Sequence, residues 1–189
     1  MSSLNIVVGL SGVGKSTVLE EAMLLSEKEY ELINYGDQMF EVAKEKGLVD
    51  TRDEMKNLGV ETYKELQKTA AEQIFEIAEE NDVIVDTHAA IKSPYGYIPG
   101  LPKWSVSELD PEKIIMLTAS AQQIYQRSQS DQDREREHDS VEEVQEYQQV
   151  AREMAAADSV EVGAYLKIIE NKEGRAEQAS RELIEVLNA

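Results

Sequence analysis

The sequence predicts an α/β fold, a parallel sheet covered on both faces by helices. Two observations carry that reading. Short apolar, β-branched runs alternate along the chain with longer stretches of helical periodicity, the pattern of strands buried on both sides. The first such run leads directly into Gly9-Leu10-Ser11-Gly12-Val13-Gly14-Lys15-Ser16, a complete G-x-x-x-x-G-K-[ST] phosphate loop. In sheets of this kind ligands sit at the carboxyl ends of the strands, and the loop lies at such an end. The 189 residues suffice for one domain with a real core.

The elements follow in order. Leu4–Val8 (LNIVV) is the first strand, and Val18, Ala22 and Leu25 after the loop keep helical spacing. Glu31–Asn34 is a short second strand. Tyr35–Gly47 reads as a helix that ends on a glycine, a normal C-terminal stop. Glu61–Glu80 is a longer helix with Tyr63, Leu66, Ala70, Ile74 and Ile77 on one face. Val83–Asp86 is the third strand. Ser93–Pro102, rich in Gly and Pro, is expected to be a loop; the four prolines all lie in or near this central stretch. Ile114–Leu117 is the fourth strand. Ser120 with Gln123 makes a capping box for the next helix, and Ser140 with Glu143 opens another that runs to about Ala157. Ala164–Ile169 is the fifth strand. Ala176–Leu187 closes the chain as a helix with Ala176, Ala179, Leu183 and Leu187 aligned.

The phosphate loop has a clear chemistry. Gly9, Gly12 and Gly14 allow the backbone to turn its N–H groups around phosphate oxygens, some of them at positive φ. The N-terminus of the following helix presents free donors and a partial positive charge to the same anion. Lys15 reaches the β/γ-phosphates, and the Ser16 hydroxyl is a ligand for Mg²⁺. The loop residues Gly9 to Thr17 are therefore the expected ATP-binding segment.

Composition sets the surroundings. Asp and Glu number 38 against 19 Lys and Arg, a formal net charge of -19. That balance argues against a general nucleic-acid partner or an anionic-membrane surface. The acids are scattered, without an acidic tail. Simple solubility accounts for many of them; so large an imbalance also fits adaptation to a salt-rich cytoplasm, a halophilic lineage. Cysteine is absent, which excludes disulfides and Cys-based zinc sites. No leader-like segment opens the sequence, and no apolar run approaches the ~20 residues of a membrane span. A soluble, cytoplasmic protein is the expectation.

Two further constellations stand out. Val83-Ile84-Val85-Asp86 ends a buried strand on an acid, the position that holds Mg²⁺ in Walker-B motifs; an Asp capping the following turn is the plainer reading. Thr87 and His88 follow at once and are expected to face the same cleft, His88 either touching substrate or bonding to the backbone. Of seven arginines, Arg127, Arg134 and Arg136 lie close together, the last two in the very polar stretch Asp131-Gln132-Asp133-Arg134-Glu135-Arg136. Guanidinium forks match the charge spread over a transferring phosphoryl group. Pairing with neighbouring acids at an exposed helix end is the alternative. Arg52, in Asp50-Thr51-Arg52-Asp53-Glu54-Met55, is a similar case.

These residues together resemble the archaeal-type adenylate kinases nearly end to end. The carrying segments are GLSGVGKST (9–17), Ile33-Asn34-Tyr35-Gly36-Asp37 with Met39, and Arg52-Asp53-Glu54-Met55-Lys56. Val85-Asp86-Thr87-His88, Lys92-Ser93-Pro94 and Gly96-Tyr97-Ile98-Pro99-Gly100-Leu101-Pro102 continue the match, with Asp131, Arg134 and Arg136. The DTH segment and the GY-x-x-GLP loop are more particular to that family than the phosphate loop. The resemblance implies a three-layer P-loop kinase fold with a five-stranded parallel sheet in the order 2-3-1-4-5. It implies a single domain over residues 1–189, with a nucleoside-monophosphate-binding insert at about 35–80 and a short lid at about 128–139. The implied reaction is ATP + AMP ⇌ 2 ADP with Mg²⁺ and no zinc, in a homotrimer. By resemblance Lys15, Arg127, Arg134 and Arg136 are catalytic, and Arg52, Gly36, Thr87 and His88 bind AMP. Ser16 and Asp86 serve the metal. One departure is plain: Ser128–Asp133 carries no basic residue, where relatives often have one. The sequence also departs from GTPase switches, because Asn171-Lys172-Glu173-Gly174 ends in the wrong residue for N-K-x-D and no D-x-x-G occurs.

Overall fold

The computed structural model describes residues 2–130 and 139–189. Its centre is a five-stranded sheet. The strands are β1 (Leu4–Val8), β2 (Glu31–Asn34), β3 (Val83–Thr87), β6 (Lys113–Thr118) and β7 (Tyr165–Glu170). Their order is β2-β3-β1-β6-β7 and every pairing is parallel. With the two hairpin strands set aside, this is the expected order 2-3-1-4-5. All five residues of β1 are buried, as are Val83, Ile84, Val85, Ile114, Ile115, Met116 and Leu117. Continuous apolar runs are what a strand covered on both faces requires. The two edge strands are more polar and more exposed, which follows from their having one neighbour instead of two.

Helices complete the layers. On one side α1 (Lys15–Leu25) packs against α7 (Ala176–Leu187), the latter burying Ala179, Leu183 and Leu187. Leu25 keeps the helical spacing of Val18 and Ala22 but is 40% exposed; Leu19 is buried together with Val18 and Ala22. Elsewhere α2 (Tyr35–Glu45), α3 (Val60–Glu80) and α4 (Lys103–Leu109) pack together. The buried Tyr35 hydroxyl fastens these three, donating to the Gln67 carbonyl at 2.7 Å and meeting the Ser105 hydroxyl at 2.8 Å. Leu66, Ala70 and Ile74 of α3 are fully buried, with Tyr63 and Ile77 half-buried beside them. Helices α5 (Ala121–Ser130) and α6 (Val141–Val162) pack on each other, and α6 also packs on β6 and β7.

Of the two expected capping boxes only the serine half forms in each, and the Gln123 side chain donates to Glu173 Oε2 at 3.0 Å instead of closing the first. The Gln123 amide donates to Ser120 Oγ at 3.2 Å, and the Glu143 amide to Ser140 Oγ at 3.1 Å. The Glu143 carboxylate reaches back one residue further than a capping box, accepting from the Asp139 N–H at 2.6 Å. Helix α6 runs past the expected Ala157 to Val162 and stops at Gly163, whose φ of 73° supplies the left-handed cap.

The central stretch differs from the expected loop. Residues 93–102 contribute to an antiparallel hairpin, β4 (Ala90–Ser93) with β5 (Gly96–Pro99), and lead into α4. The reason is tertiary. The Lys92 ammonium pairs with the Glu143 carboxylate. Tyr147 Oη donates to the Ala90 carbonyl at 3.0 Å, and the Tyr97 and Tyr147 rings lie 5.2 Å apart. Helix α6 thus braces a hairpin whose own composition signals a turn. Pro99 is tolerated at the end of an edge strand, where no N–H is needed. Gly100 then passes hard against the end of β3: its N–H donates to Ala89 O at 2.9 Å, and a Cβ there would lie 1.9 Å from the His88 carbonyl oxygen.

Candidate functional site

The chain leaves β1 at Val8 and enters α1 at Lys15, so the phosphate loop spans the carboxyl end of the central strand. Gly12 (φ 81°) and Gly14 (φ 88°) adopt the left-handed conformation that the loop requires. Gly9 is needed for proximity instead, since a Cβ there would meet Val13 Cγ1 at 2.9 Å and the Leu117 carbonyl at 3.1 Å. Leu10 and Val13 are buried and anchor the loop in the core; the Val13 N–H closes a turn on the Leu10 carbonyl at 3.2 Å. Gly12, Gly14, Lys15, Ser16 and Thr17 line an open cleft of about 770 Å³. Gly9 and Val13 shape the loop from behind and do not line it.

Asp86, His88 and Arg127 line the same cleft. The register places Asp86 beside Val7 of β1 and beside Asn34 of β2. Its two oxygens are divided. Oδ1 takes the Lys15 ammonium, and Oδ2 accepts from Asn34 Nδ2 at 3.1 Å. Burial lowers the Lys15 ammonium to about 8, while the carboxylate against it favours its charged form. Thr87 alternates away, is buried and does not line the cleft, because successive strand residues point to opposite faces. Arg127 Nη1 donates to the Gly12 carbonyl at 2.9 Å, so this arginine is held directly on the phosphate loop. Arg134 and Arg136 lie outside the described residues.

Gly36 and Arg52 come together a short way off. A Cβ on Gly36 would stand 2.6 Å from Arg52 Nη2, so the glycine leaves room for the guanidinium. Arg52 pairs with Asp37 across an exposed surface. Asn34 connects this group to the cleft: it caps α2, accepting from the Asp37 N–H at 3.1 Å, while its amide holds Asp86. Sequence reasoning gave Asn34 no role of its own. An Asn just before a helical run is a recognisable cap signal, but its contact with Asp86 depends on which strands are neighbours.

A second space was also not anticipated. Met55, Leu58, Tyr63, Ile98 and Trp104 line an apolar groove of about 650 Å³. It has one polar wall, where Trp104 Nε1 donates to Gln67 Oε1 at 3.1 Å, and Lys64 Nζ stands 4.7 Å from the Trp104 ring centroid. Arg52 begins the 3-10 helix (Arg52–Asn57) that carries Met55 into this groove; burial raises the Tyr63 phenol, and the Arg52 charge opposes that rise.

The donor set at the loop suits a hard cation. A Ser16 hydroxyl and the Asp86 carboxylate are oxygen ligands, and Mg²⁺ usually keeps several waters beside one or two such groups and substrate phosphates. No cluster of three or more His, Asp or Glu that could hold a metal by itself occurs among the described residues. None of the described helices is long and apolar enough to cross a membrane.

The family model described as an AAA domain matches residues 8–145. An adenylate kinase from Methanococcus vannielii is 42% identical over 185 residues, covering 96% of both chains. One from Thermoplasma acidophilum is 43% identical, covering 97% of each, and one from Methanopyrus kandleri is 43% identical over the full length of both. Among solved structures, shikimate kinases from Acinetobacter baumannii and Bacteroides thetaiotaomicron superpose with TM-scores of 0.63 and 0.62 at 14% and 15% identity. The first match covers 100% of this chain and 94% of the other, the second 99% of both; at such identity the likeness shows the fold. With near-complete coverage at over 40% identity, on a phosphate-loop kinase fold, the chain belongs to the adenylate kinase family of phosphotransferases.

Proposed function

We propose that the two spaces divide the adenylate kinase reaction, ATP + AMP ⇌ 2 ADP, between a donor cleft and an acceptor groove. The observation that carries this reading is their connection through α2. The polar cleft at the phosphate loop reaches Asn34, the cap of α2, and the first turn of that helix carries Gly36 beside Arg52, next to the apolar groove. A flat base fits an apolar, aromatic wall, and a monophosphate fits the adjacent guanidinium. In this reading Gly9 to Thr17 cradle the ATP phosphates. Arg52 and Gly36 receive the AMP phosphate, and His88 faces the reacting phosphates from the end of β3. Thr87 supports that end from the buried side.

Phosphoryl transfer asks the protein for alignment and charge compensation more than for covalent chemistry. Lys15 exchanges the Asp86 carboxylate for the β/γ-phosphates. Arg127 stays on the loop. Arg134 and Arg136, in a lid at about 128–139, add charge over the transferring group, while the insert at about 35–80 brings AMP in line. Ser16 and Asp86 would hold Mg²⁺, which would supply charge neutralisation for the phosphates. We further propose a cytoplasmic homotrimer, on the family resemblance, and adaptation to a salt-rich interior, on the net charge of -19. Light scattering would test the trimer by returning three times the 21.2 kDa chain mass.

The deciding experiment is an acceptor panel of AMP, CMP, UMP and GMP with ATP–Mg²⁺. Preference for AMP, with a raised AMP KM in Arg52→Ala and Trp104→Ala, supports the division. Equal use of all four, or no effect of either substitution, refutes it.

A further inference from the structure

The phosphate loop is gripped from behind by a residue that the reaction scheme above leaves unused. Asn171 follows β7 at the edge of the sheet, and its main-chain N–H donates to the Thr118 carbonyl of β6 at 2.7 Å. Its side chain is buried, with the residue only 4% exposed. From there Nδ2 donates to the Val13 carbonyl at 2.9 Å, across 158 positions of sequence. One residue earlier in the loop, Arg127 Nη1 donates to the Gly12 carbonyl at 2.9 Å. Two successive carbonyls of the loop are therefore held by side chains from two different elements.

The geometry explains a requirement at Gly14. A Cβ at that position would lie 2.5 Å from Asn171 Nδ2 and 3.5 Å from Arg127 Nη1. Gly14 is already left-handed at φ 88°, so glycine there meets two demands, the turn and the approach of the amide. The Val13 carbonyl belongs to the peptide whose N–H is that of Gly14, and a peptide plane is rigid. Fixing the oxygen fixes the opposite direction of the N–H. A loop whose peptides were free to rotate would turn carbonyl oxygens as well as N–H groups toward the site and would have to be ordered when the polyanion binds.

We propose that Asn171 is a positioning residue for the donor phosphates. It locks the Val13–Gly14 peptide so that the Gly14 N–H is oriented toward the triphosphate before it arrives. Asn171 also lines the cleft with Lys172, so the same short segment after β7 closes the donor side. The role predicts a defect confined to the donor nucleotide. This inference rests on the phosphate loop being the donor site, and the test separates the two.

The experiment is calorimetric binding of ATP and steady-state kinetics with the full-length protein. Wild type, Asn171→Ala, Asn171→Asp and Lys15→Ala are compared, with melting temperatures recorded. Asn171→Asp keeps the shape while replacing the donor by an acceptor. Loss of one buried hydrogen bond predicts ATP binding weakened about ten-fold, with a raised ATP KM and an AMP KM near wild type. Normal ATP affinity in both Asn171 variants, with Lys15→Ala impaired, overturns the proposal and leaves the donor site standing. A rise of ATP and AMP KM together, tracking the melting temperature, also overturns it, because that is the signature of general loosening. Normal ATP binding by Lys15→Ala removes the donor-site reading itself. A wild-type measurement guards against variants that do not fold: the Asn171 side-chain NH₂ resonance should be protected from exchange and shift on adding inorganic tripolyphosphate. A freely exchanging, unresponsive NH₂ refutes the role.

Discussion

Asp158 gives the sharpest quantitative test of the energetics. It lies on α6 at 9% exposure, and its Oδ2 has no hydrogen-bond partner among the described residues. Burial raises its carboxyl from 3.8 to about 7. The folded protein therefore binds a proton between about pH 4 and pH 7 that the unfolded chain releases. Stability falls as pH rises through that window, and the full penalty is present above pH 7. A change from 3.8 to about 7 corresponds to roughly 4 kcal/mol at 1.36 kcal/mol per decade. Relaxation and water penetration around the charge offset part of this, so about 2 kcal/mol is expected. A side-chain amide in its place would carry no charge at any pH. Asp158→Asn should therefore stabilise the fold by about 2 kcal/mol at pH 8 and by close to nothing at pH 4. Urea unfolding of both proteins from pH 4 to 8.5 measures it. A difference that is flat with pH, or an amide variant less stable at pH 8, would show that the carboxylate is compensated and the reasoning wrong.

Other outcomes follow from the site and its surroundings. Lys15→Ala should cost turnover ~10²-fold or more with little change in melting temperature, since it removes the cation that meets the developing phosphate charge; retention of most activity in a coupled ADP assay would exclude the role. Arg134→Ala and Arg136→Ala should each lower kcat by at least ~10²-fold. If only thermal stability responded, surface pairing with acids would be the better account. Gly100→Ala forces a methyl to within 1.9 Å of the His88 carbonyl, so the end of β3 must shift. A drop of about 3 kcal/mol or more in unfolding free energy is expected, with lower activity, because His88 moves with it. In a salt series, activity and melting temperature should rise with KCl and then level off, because at ~1 M the Debye length is about 3 Å and repulsion among the carboxylates is screened. Values that are flat or fall steadily with salt would mark the acidic surface as merely solubilising.

The sequence by itself determined the sheet and the loop. LNIVV, VIVD and IIML are apolar apart from Asn5 and Asp86, without the alternation of a half-exposed strand, and the demand of a strand covered on both faces is local enough to read directly. The same holds for Ser120 and Ser140, whose caps depend on residues three positions away. The glycines at 12 and 14 likewise announce a backbone conformation that their own chemistry allows. Tertiary structure decided what depends on neighbours distant in sequence. Ser93–Pro102 has the composition of a loop, and it became a hairpin leading to a helix because Lys92, Tyr97 and Ala90 find partners on α6 some fifty residues later. Asn34 and Asn171 look like ordinary turn residues. Their contacts with Asp86 and Val13 exist only once β2 lies beside β3 and β7 beside β6. Thr87 and His88 are adjacent in the chain, but strand pleating turned one inward and left the other on the cleft. A hydrophobic pattern reports which face of an element is dry; which polar atom waits on the other side is set by the order in which the strands assemble.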